Sequence, residues 1–271
     1  MRIDKITARQ IQTFLNSMAK DGANMLTGKP LSPKTIQHHL ELISGVFNYA
    51  LKMELISDNP CSKVTIPKGE VKEKQIYSQE EMVQLLTKMD GEPLKYKAFF
   101  YLMAYSGFRH GEMLGLEWKD IDFENAIISV RRTSNQTADR GVYTDTTKTR
   151  RSQRTLKISP YIMGMLKALK TEQNEEALKL GDYWVDTDRL FTKDNGEPQH
   201  PNTTYEWLRR FCKREELPFH GIHSFHHSHA SLLANANISI QEISRRLGHS
   251  NVELTVNIPK GHTTQSSPFD K

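Results

Sequence analysis

Helix-start signals recur along most of this chain, whereas strand patterns are confined to one short region. Ser32 and Pro33 supply an N-cap and a first-turn proline, and apolar residues then recur at helical spacing over residues 36–51. Thr7 caps an earlier helix in the same way. Ser78 and Glu81 form a capping box that predicts another helix, and further helices are predicted to begin at Pro93, Pro160, Pro201, Ser224, Ser239 and Asn251.

The strand patterns lie at residues 126–132, 142–147 and 155–158. The polar segment TSNQTADRG, residues 133–141, separates the first two and resembles a hairpin connection. We therefore expect a mainly α fold with one small antiparallel β-sheet of three strands, that is, an α+β protein.

Composition along the chain predicts four regions. Residues 58–77 contain two prolines, a glycine and four lysines, which is typical of a basic linker. We expect a partial helical domain at 1–60, a linker at 61–77, a larger domain at 78–258 and an irregular tail at 259–271. Because two helices bury little, the first region is expected to be the second half of a larger helical domain.

The net charge is weakly positive. The 271 residues include 37 Lys and Arg against 32 Asp and Glu, which permits a polyanionic partner without requiring one. No apolar run reaches the roughly 20 residues needed to span a bilayer. The two cysteines are far apart and do not suggest a disulfide framework. We expect a cytoplasmic protein with no membrane partner and no cofactor.

Two basic features could bind phosphate. Arg109 follows Gly107 at a predicted helix junction, where free backbone amides favour an anion. The run TKTRRSQRTLK, residues 147–157, carries five positive charges and no acid, so on a hairpin it could lie along a DNA backbone. Each feature alone is more simply explained as solvent-exposed surface.

A histidine cluster follows. His223 and His227 are four residues apart, and His226 and His229 three apart, so two pairs share helix faces and could bind a metal. No acid or cysteine occurs between residues 218 and 241. Histidines in such a place are more often hydrogen-bonded in a core, and we expect no metal.

In combination these features become specific. Gly-x-Arg-x-x-Glu, a basic segment holding Thr-Lys-Thr, His-x-x-x-His and Leu-Gly-His occur in this order over residues 107–249. This arrangement resembles the tyrosine recombinase, or phage integrase, family, and is closest to the integrases of conjugative transposons and phages. Residues 6–60 resemble the later helices of the family's core-binding domain, and residues 78–258 resemble its catalytic domain.

The resemblance implies roles for individual residues. Arg109 matches the first catalytic arginine and Glu112 the acid that supports it. Lys148 matches the hairpin lysine that acts on the leaving 5′ oxygen, while His223 and His249 match two catalytic histidines. Double-stranded DNA is the implied partner, contacted by the basic segment, with tetramers on paired sites. The basic residues expected to bind DNA are Lys148, Arg150, Arg151 and Arg154.

Two positions depart from the family pattern. His226 stands where the second catalytic arginine belongs, and Pro259 falls at the position of the nucleophilic tyrosine. No tyrosine follows Tyr205. In the family, the tyrosine hydroxyl attacks a DNA phosphodiester, and proline has no hydroxyl. We therefore expect DNA binding without strand cleavage, from a degenerate and N-terminally truncated or frame-disrupted gene, or from an altered sequence.

Three alternatives remain open at this point. The first is an active recombinase with an unexpected nucleophile. The second is a non-enzymatic remnant that binds recombination sites and competes with an intact integrase. The third is a metal protein, such as a hydrolase, built on the histidines of residues 220–229.

Overall fold

The computed structural model describes residues 2–69, 75–146 and 153–248. The chain divides into two compact units, Met1–Glu73 and Lys74–Lys271. Several sequence predictions lie outside the described residues: the helix at 251–257, Lys148, Arg150, Arg151, His249 and Pro259. No helix of the described part is both long and apolar enough to cross a lipid bilayer.

Within residues 2–69, the first unit has two α-helices, α1 (Ala8–Met18) and α2 (Pro33–Lys52). Thr7 caps α1 in a capping box, and Ser32 caps α2 by accepting a hydrogen bond from a backbone amide three residues on. The predicted starts of both helices are confirmed.

Residues that follow α2 pack back onto the helices of the first unit. Thr65 and the side-chain amide of Gln12 exchange two hydrogen bonds, of 2.8 and 2.9 Å. The segment predicted as linker from residue 61 therefore begins with residues that belong to this unit. Its core consists of Ile11, Leu15, Ile36, Phe47 and Cys61.

The second unit is built around one buried helix. Its helices are α3 (Gln79–Lys88), α4 (Leu94–Ser106), α5 (His110–Gly115), α6 (Pro160–Leu180), α7 (Pro201–Arg214), α8 (Ser224–Asn235) and α9 (Ile240–Leu247). The central helix, α4, is apolar nearly all round, as expected for a helix surrounded by others, and it packs against α3, α6 and α8. Ser78 and Glu81 form a capping box at the start of α3.

The described residues of the second unit also form five short strands: β1 (Ile121–Asp122), β2 (Ile127–Val130), β3 (Arg132–Thr137), β4 (Gly141–Thr146) and β5 (Arg154–Lys157). The predicted α+β class is confirmed. The predicted pairing is wrong, because β2 pairs with β1 and β5 in one antiparallel sheet whereas β4 pairs with β3 in another. Most of β3 lies in the segment that the sequence predicted to be a connecting loop.

Two glycines explain why β3 was not predicted. A Cβ atom on Gly111 would lie 2.5 Å from Oγ1 of Thr133, and one on Gly115 would lie 3.0 Å from the carbonyl oxygen of Arg132. The backbone of β3 therefore rests directly on α5, and the strand is held by close backbone approach and by pairing with β4. A strand held in this way does not need the apolar alternation by which strands are recognised.

Candidate functional site

Arg109 lies at the junction of α4 and α5. Gly107 ends α4 in the left-handed conformation, with a φ of 66°, and the chain then turns into α5. The backbone amide of Arg109 donates to Oε2 of Glu112 at 2.9 Å, and its Nη1 donates to Oε1 at 3.0 Å. The Arg109 side chain is 37% exposed, so this oriented guanidinium also faces solvent.

Glu112 is buried between two arginines. Arg154 donates to its two carboxylate oxygens, through Nη1 at 3.0 Å and Nη2 at 2.8 Å, in the paired geometry that guanidinium and carboxylate groups favour. Burial by itself raises the pKa of the Glu112 carboxyl, but the hydrogen bonds and positive charges of Arg154 and Arg109 outweigh burial. Its pKa therefore lies below the ordinary value, and the carboxylate is ionised at neutral pH.

The same two arginines bind the carboxyl end of α9. Nη2 of Arg109 donates to the carbonyl of Gly248 at 3.2 Å, and Nε of Arg154 donates to the carbonyl of Arg246 at 2.7 Å. Helix C-termini carry partial negative charge, so cations stabilise them. The backbone immediately before His249 is thus held by both guanidinium groups.

His226 faces the loop that carries Arg109. Its Nδ1 lies 2.5 Å from the carbonyl oxygen of Gly107, and the ring is buried. Because a carbonyl can only accept, Nδ1 carries a proton and donates it. His226 is therefore fixed beside the junction of α4 and α5.

His223 lies on the surface near the same junction. The centroid of its ring is 6.2 Å from that of His110, the residue next to Arg109. His110 is buried and its Nε2 lies 2.7 Å from Oγ1 of Thr204. Burial, with a smaller contribution from the charge of His223, lowers the pKa of His110 to about 4. No sequence signal identifies His110, because nothing in its flanking residues distinguishes a buried histidine from an exposed one.

His229 is buried, and both of its ring nitrogens form hydrogen bonds within the fold. Its Nδ1 donates to the carbonyl of Ala104 at 2.9 Å, and its Nε2 accepts from Nε of Arg246 at 3.3 Å. Burial, and next the charge of Arg246, lower its pKa to about 3, so the ring is neutral. His229 thereby links α8, on which it lies, to α4 and α9.

The histidine cluster does not form a metal centre among the residues that the structure describes. No group of three or more His, Cys, Asp or Glu side chains there is arranged to hold a metal ion. Both His226 and His229 direct Nδ1 at a backbone carbonyl instead.

Four of the predicted site residues are close to one junction. Arg109, Glu112, His223 and His226 lie at or beside the turn between α4 and α5. Arg154, predicted to lie along DNA, directs all three guanidinium nitrogens inward, and its side chain is 7% exposed.

Comparisons with known proteins place the chain in one family. Residues 75–258 match the phage integrase family, and residues 1–66 match the phage integrase SAM-like domain. A curated protein, the tyrosine recombinase XerC-like of Caldanaerobacter subterraneus subsp. tengcongensis, is 31% identical over 276 residues, which cover 95% of this chain and 68% of that protein.

Solved structures share the fold. The Tn1549 transposon integrase, in complex with transposon right end DNA, has a TM-score of 0.81 at 21% identity, over 97% of this chain and 84% of that one. A lambda integrase tetramer bound to a Holliday junction has a TM-score of 0.63 at 17% identity, over 98% of this chain and 68% of that one.

Proposed function

Because the chain belongs to the phage integrase family of tyrosine recombinases, we propose that it binds double-stranded DNA at recombination sites but does not cleave it. The family acts in DNA integration and recombination. The observation that carries the binding proposal is the guanidinium of Arg109, which Glu112 and the carbonyl of Gly248 orient while the side chain remains 37% exposed.

Phosphate is the ligand that this arrangement favours. An oriented guanidinium binds phosphate oxygens through paired hydrogen bonds. Arg109 is also at the start of α5, although that helix is too short to bind an anion on its own. The Tn1549 transposon integrase, which has the same fold, was solved with DNA bound, and this supports duplex DNA as the source of the phosphate.

The cleavage deficiency is proposed from two residues. Pro259 has no hydroxyl that could attack a phosphodiester. The N–H at Nδ1 of His226 already donates to the carbonyl oxygen of Gly107, so the ring cannot reproduce the two parallel hydrogen bonds of an arginine fork. Loss of the arginine would lower the stabilisation of transition-state charge, whereas loss of the nucleophile would abolish the reaction.

A protein with these properties would act by occupying recombination sites on DNA. It would bind the sites of an intact integrase, as a single copy or in mixed tetramers, and compete with that enzyme. The lambda integrase tetramer on a Holliday junction is the assembly that makes mixed tetramers a reasonable expectation. We place this activity in the cytoplasm because its proposed ligand is DNA.

A nicked suicide duplex tests the cleavage proposal. The protein is incubated with the duplex and separated on a denaturing gel, with an intact tyrosine recombinase on its own nicked site as the positive control. We expect no covalent adduct from this chain. A clear adduct would show that another residue acts as nucleophile and would overturn the proposal.

Gel-shift titration tests the binding proposal. Binding to duplex DNA should weaken steeply as salt rises, and one sequence should be preferred over random competitor. Adding the protein to an intact integrase that uses the preferred site should lower the adduct yield of that enzyme. Duplex binding that is absent at low salt would exclude the proposed function.

A further inference from the structure

All three guanidinium nitrogens of Arg154 donate hydrogen bonds within the protein. Two of its nitrogens bind the two oxygens of Glu112, and the third binds the carbonyl of Arg246. Its guanidinium also lies over the ring of Phe108, with the Cζ atom 5.3 Å from the ring centroid. The side chain therefore joins β5 to the start of α5 and the end of α9.

Glu112 transmits this arrangement to Arg109. Its Oε1 accepts from both Arg154 and Arg109, at 3.0 Å in each case, so the two guanidinium groups share one carboxylate oxygen. A carboxylate held on two sides has little freedom to rotate. The position of Arg109 consequently depends on a residue that lies 45 positions further along the chain.

The fit around Arg154 is close. Gly248 ends α9 in the left-handed conformation, and a Cβ atom there would lie 2.7 Å from Nη1 of Arg154. Lysine could not replace this arginine, because an ammonium group cannot bind two carboxylate oxygens in parallel and a backbone carbonyl at the same time.

We infer that Arg154 is a positioning residue for the phosphate site. By holding Glu112 and the carbonyl of Arg246, it sets the orientation of Arg109 and fixes the carboxyl end of α9. It acts through Arg109 and does not itself contact DNA. The inference rests on the proposed DNA binding of Arg109.

A double-mutant cycle in the full chain tests this inference. Arg109→Ala, Arg154→Met and the double variant are titrated with the preferred duplex, under conditions where circular dichroism shows each variant to be folded. We expect Arg154→Met to weaken binding by about tenfold to a hundredfold, close to the effect of Arg109→Ala, since each removes charge-assisted hydrogen bonding at one site. The double variant should bind no more weakly than Arg109→Ala alone.

Two further variants test whether the loss of DNA affinity in Arg154→Met arises only from a general structural defect or from a lost positive charge. Arg154→Lys keeps the charge and loses the paired geometry, so it should recover only part of the affinity. Lys179→Met removes one positive charge from α6 and should leave affinity nearly unchanged. If the effects of Arg154→Met and Arg109→Ala multiply in the double variant, or if Arg154→Met binds as tightly as the unmodified chain, the inference is wrong.

A measurement without DNA separates this inference from the proposed function. In spectra of the protein with ¹⁵N-labelled arginine, the guanidinium of Arg109 should rotate slowly in the unmodified chain and freely in Arg154→Met. If the unmodified chain binds no duplex but Arg109 responds to Arg154→Met in this way, the proposed function fails and the positioning by Arg154 stands. If Arg109 does not respond, the inference fails, whatever the DNA titrations show.

Discussion

Nε of Arg246 donates a hydrogen bond to Nε2 of His229, at 3.3 Å, within the second unit. Since Nδ1 of the same ring donates to the carbonyl of Ala104, the ring is neutral and both of its nitrogens are used. Protonation of Nε2 would place a second positive charge beside Arg246 and would remove the acceptor. The stability of this unit should therefore depend on pH.

Acidification should destabilise the second unit through its buried histidines. The pKa values of His110 and His229 are lowered to about 4 and about 3, below the ordinary value of 6.5, so the unfolded chain takes up protons that the folded chain does not. Stability is then complete above pH 6.5 and falls as the pH drops towards 4, by on the order of 1 kcal/mol per pH unit for each histidine. Urea unfolding at several pH values measures this slope.

Tryptophan fluorescence follows this unfolding, because the three tryptophans of the chain, at positions 118, 184 and 207, all belong to the second unit. The variant His229→Asn keeps a donor for Ala104 but cannot be protonated, so it should show a shallower slope. The exposed His39 on α2 provides the control, and His39→Asn should leave the slope unchanged. An equal slope in His229→Asn and in the unmodified chain would contradict the assignment.

Removal of the Glu112 charge should strongly lower the free energy of unfolding. In Glu112→Gln, Arg109 and Arg154 lose their shared counter-charge in a buried place, and we expect the free energy of unfolding to fall by about 3–5 kcal/mol. Urea unfolding measures this loss. Glu206→Gln on α7 breaks a surface pair with Arg209 and should cost less than about 1 kcal/mol. Comparable losses in the two variants would mean that Glu112 is not a structural centre.

Gly107 should not tolerate a methyl group. Its φ is positive, and a Cβ atom would lie 2.5 Å from Cδ2 of His229 and 2.8 Å from Cδ2 of Leu247. Gly107→Ala should therefore lower the free energy of unfolding by roughly 2 kcal/mol or more. The matched control is Gly164→Ala in α6, where the added atom meets nothing within 4 Å and should stabilise the helix by up to about 1 kcal/mol. A neutral Gly107→Ala would contradict the packing described for this turn.

Arg109 should contribute to the salt dependence of DNA binding. If its guanidinium neutralises one phosphate, Arg109→Ala should reduce the slope of log K against log salt by about 0.9 as well as weakening binding. Gel-shift titrations at four or more salt concentrations measure the slope. Weaker binding with an unchanged slope would mean that Arg109 acts on the DNA site indirectly.

Local signals in the sequence predicted most helix starts correctly. Thr7, Ser32 and Ser78 cap helices as expected, because a capping side chain and the amides it binds are adjacent in the chain. Gly107 ends α4 for an equally local reason, since glycine adopts the left-handed conformation without steric cost.

Strand pairing and burial were not predictable in this way. One partner of β2 is β5, which lies beyond β3 and β4 in the chain, and the pattern of residues 126–132 contains nothing that identifies it. Arg154 lies in a run of basic residues that is typical of an exposed surface. It is nevertheless buried, because it binds Glu112, which is distant in sequence. Both outcomes depend on long-range contacts, which periodicity and composition do not encode.

The carboxylate that Arg109 and Arg154 share has a consequence for how integrase genes decay. Natural selection that acts only on folding would favour all three residues, since loss of Glu112 leaves two arginines without their carboxylate and loss of either arginine removes a hydrogen bond from a buried carboxylate. A lineage that had lost its nucleophile could therefore keep the Gly-x-Arg-x-x-Glu signature for as long as it kept a stable product. The presence of that signature in a gene therefore indicates that the fold has been maintained. Whether the protein can transfer DNA strands depends on the residues that face the DNA.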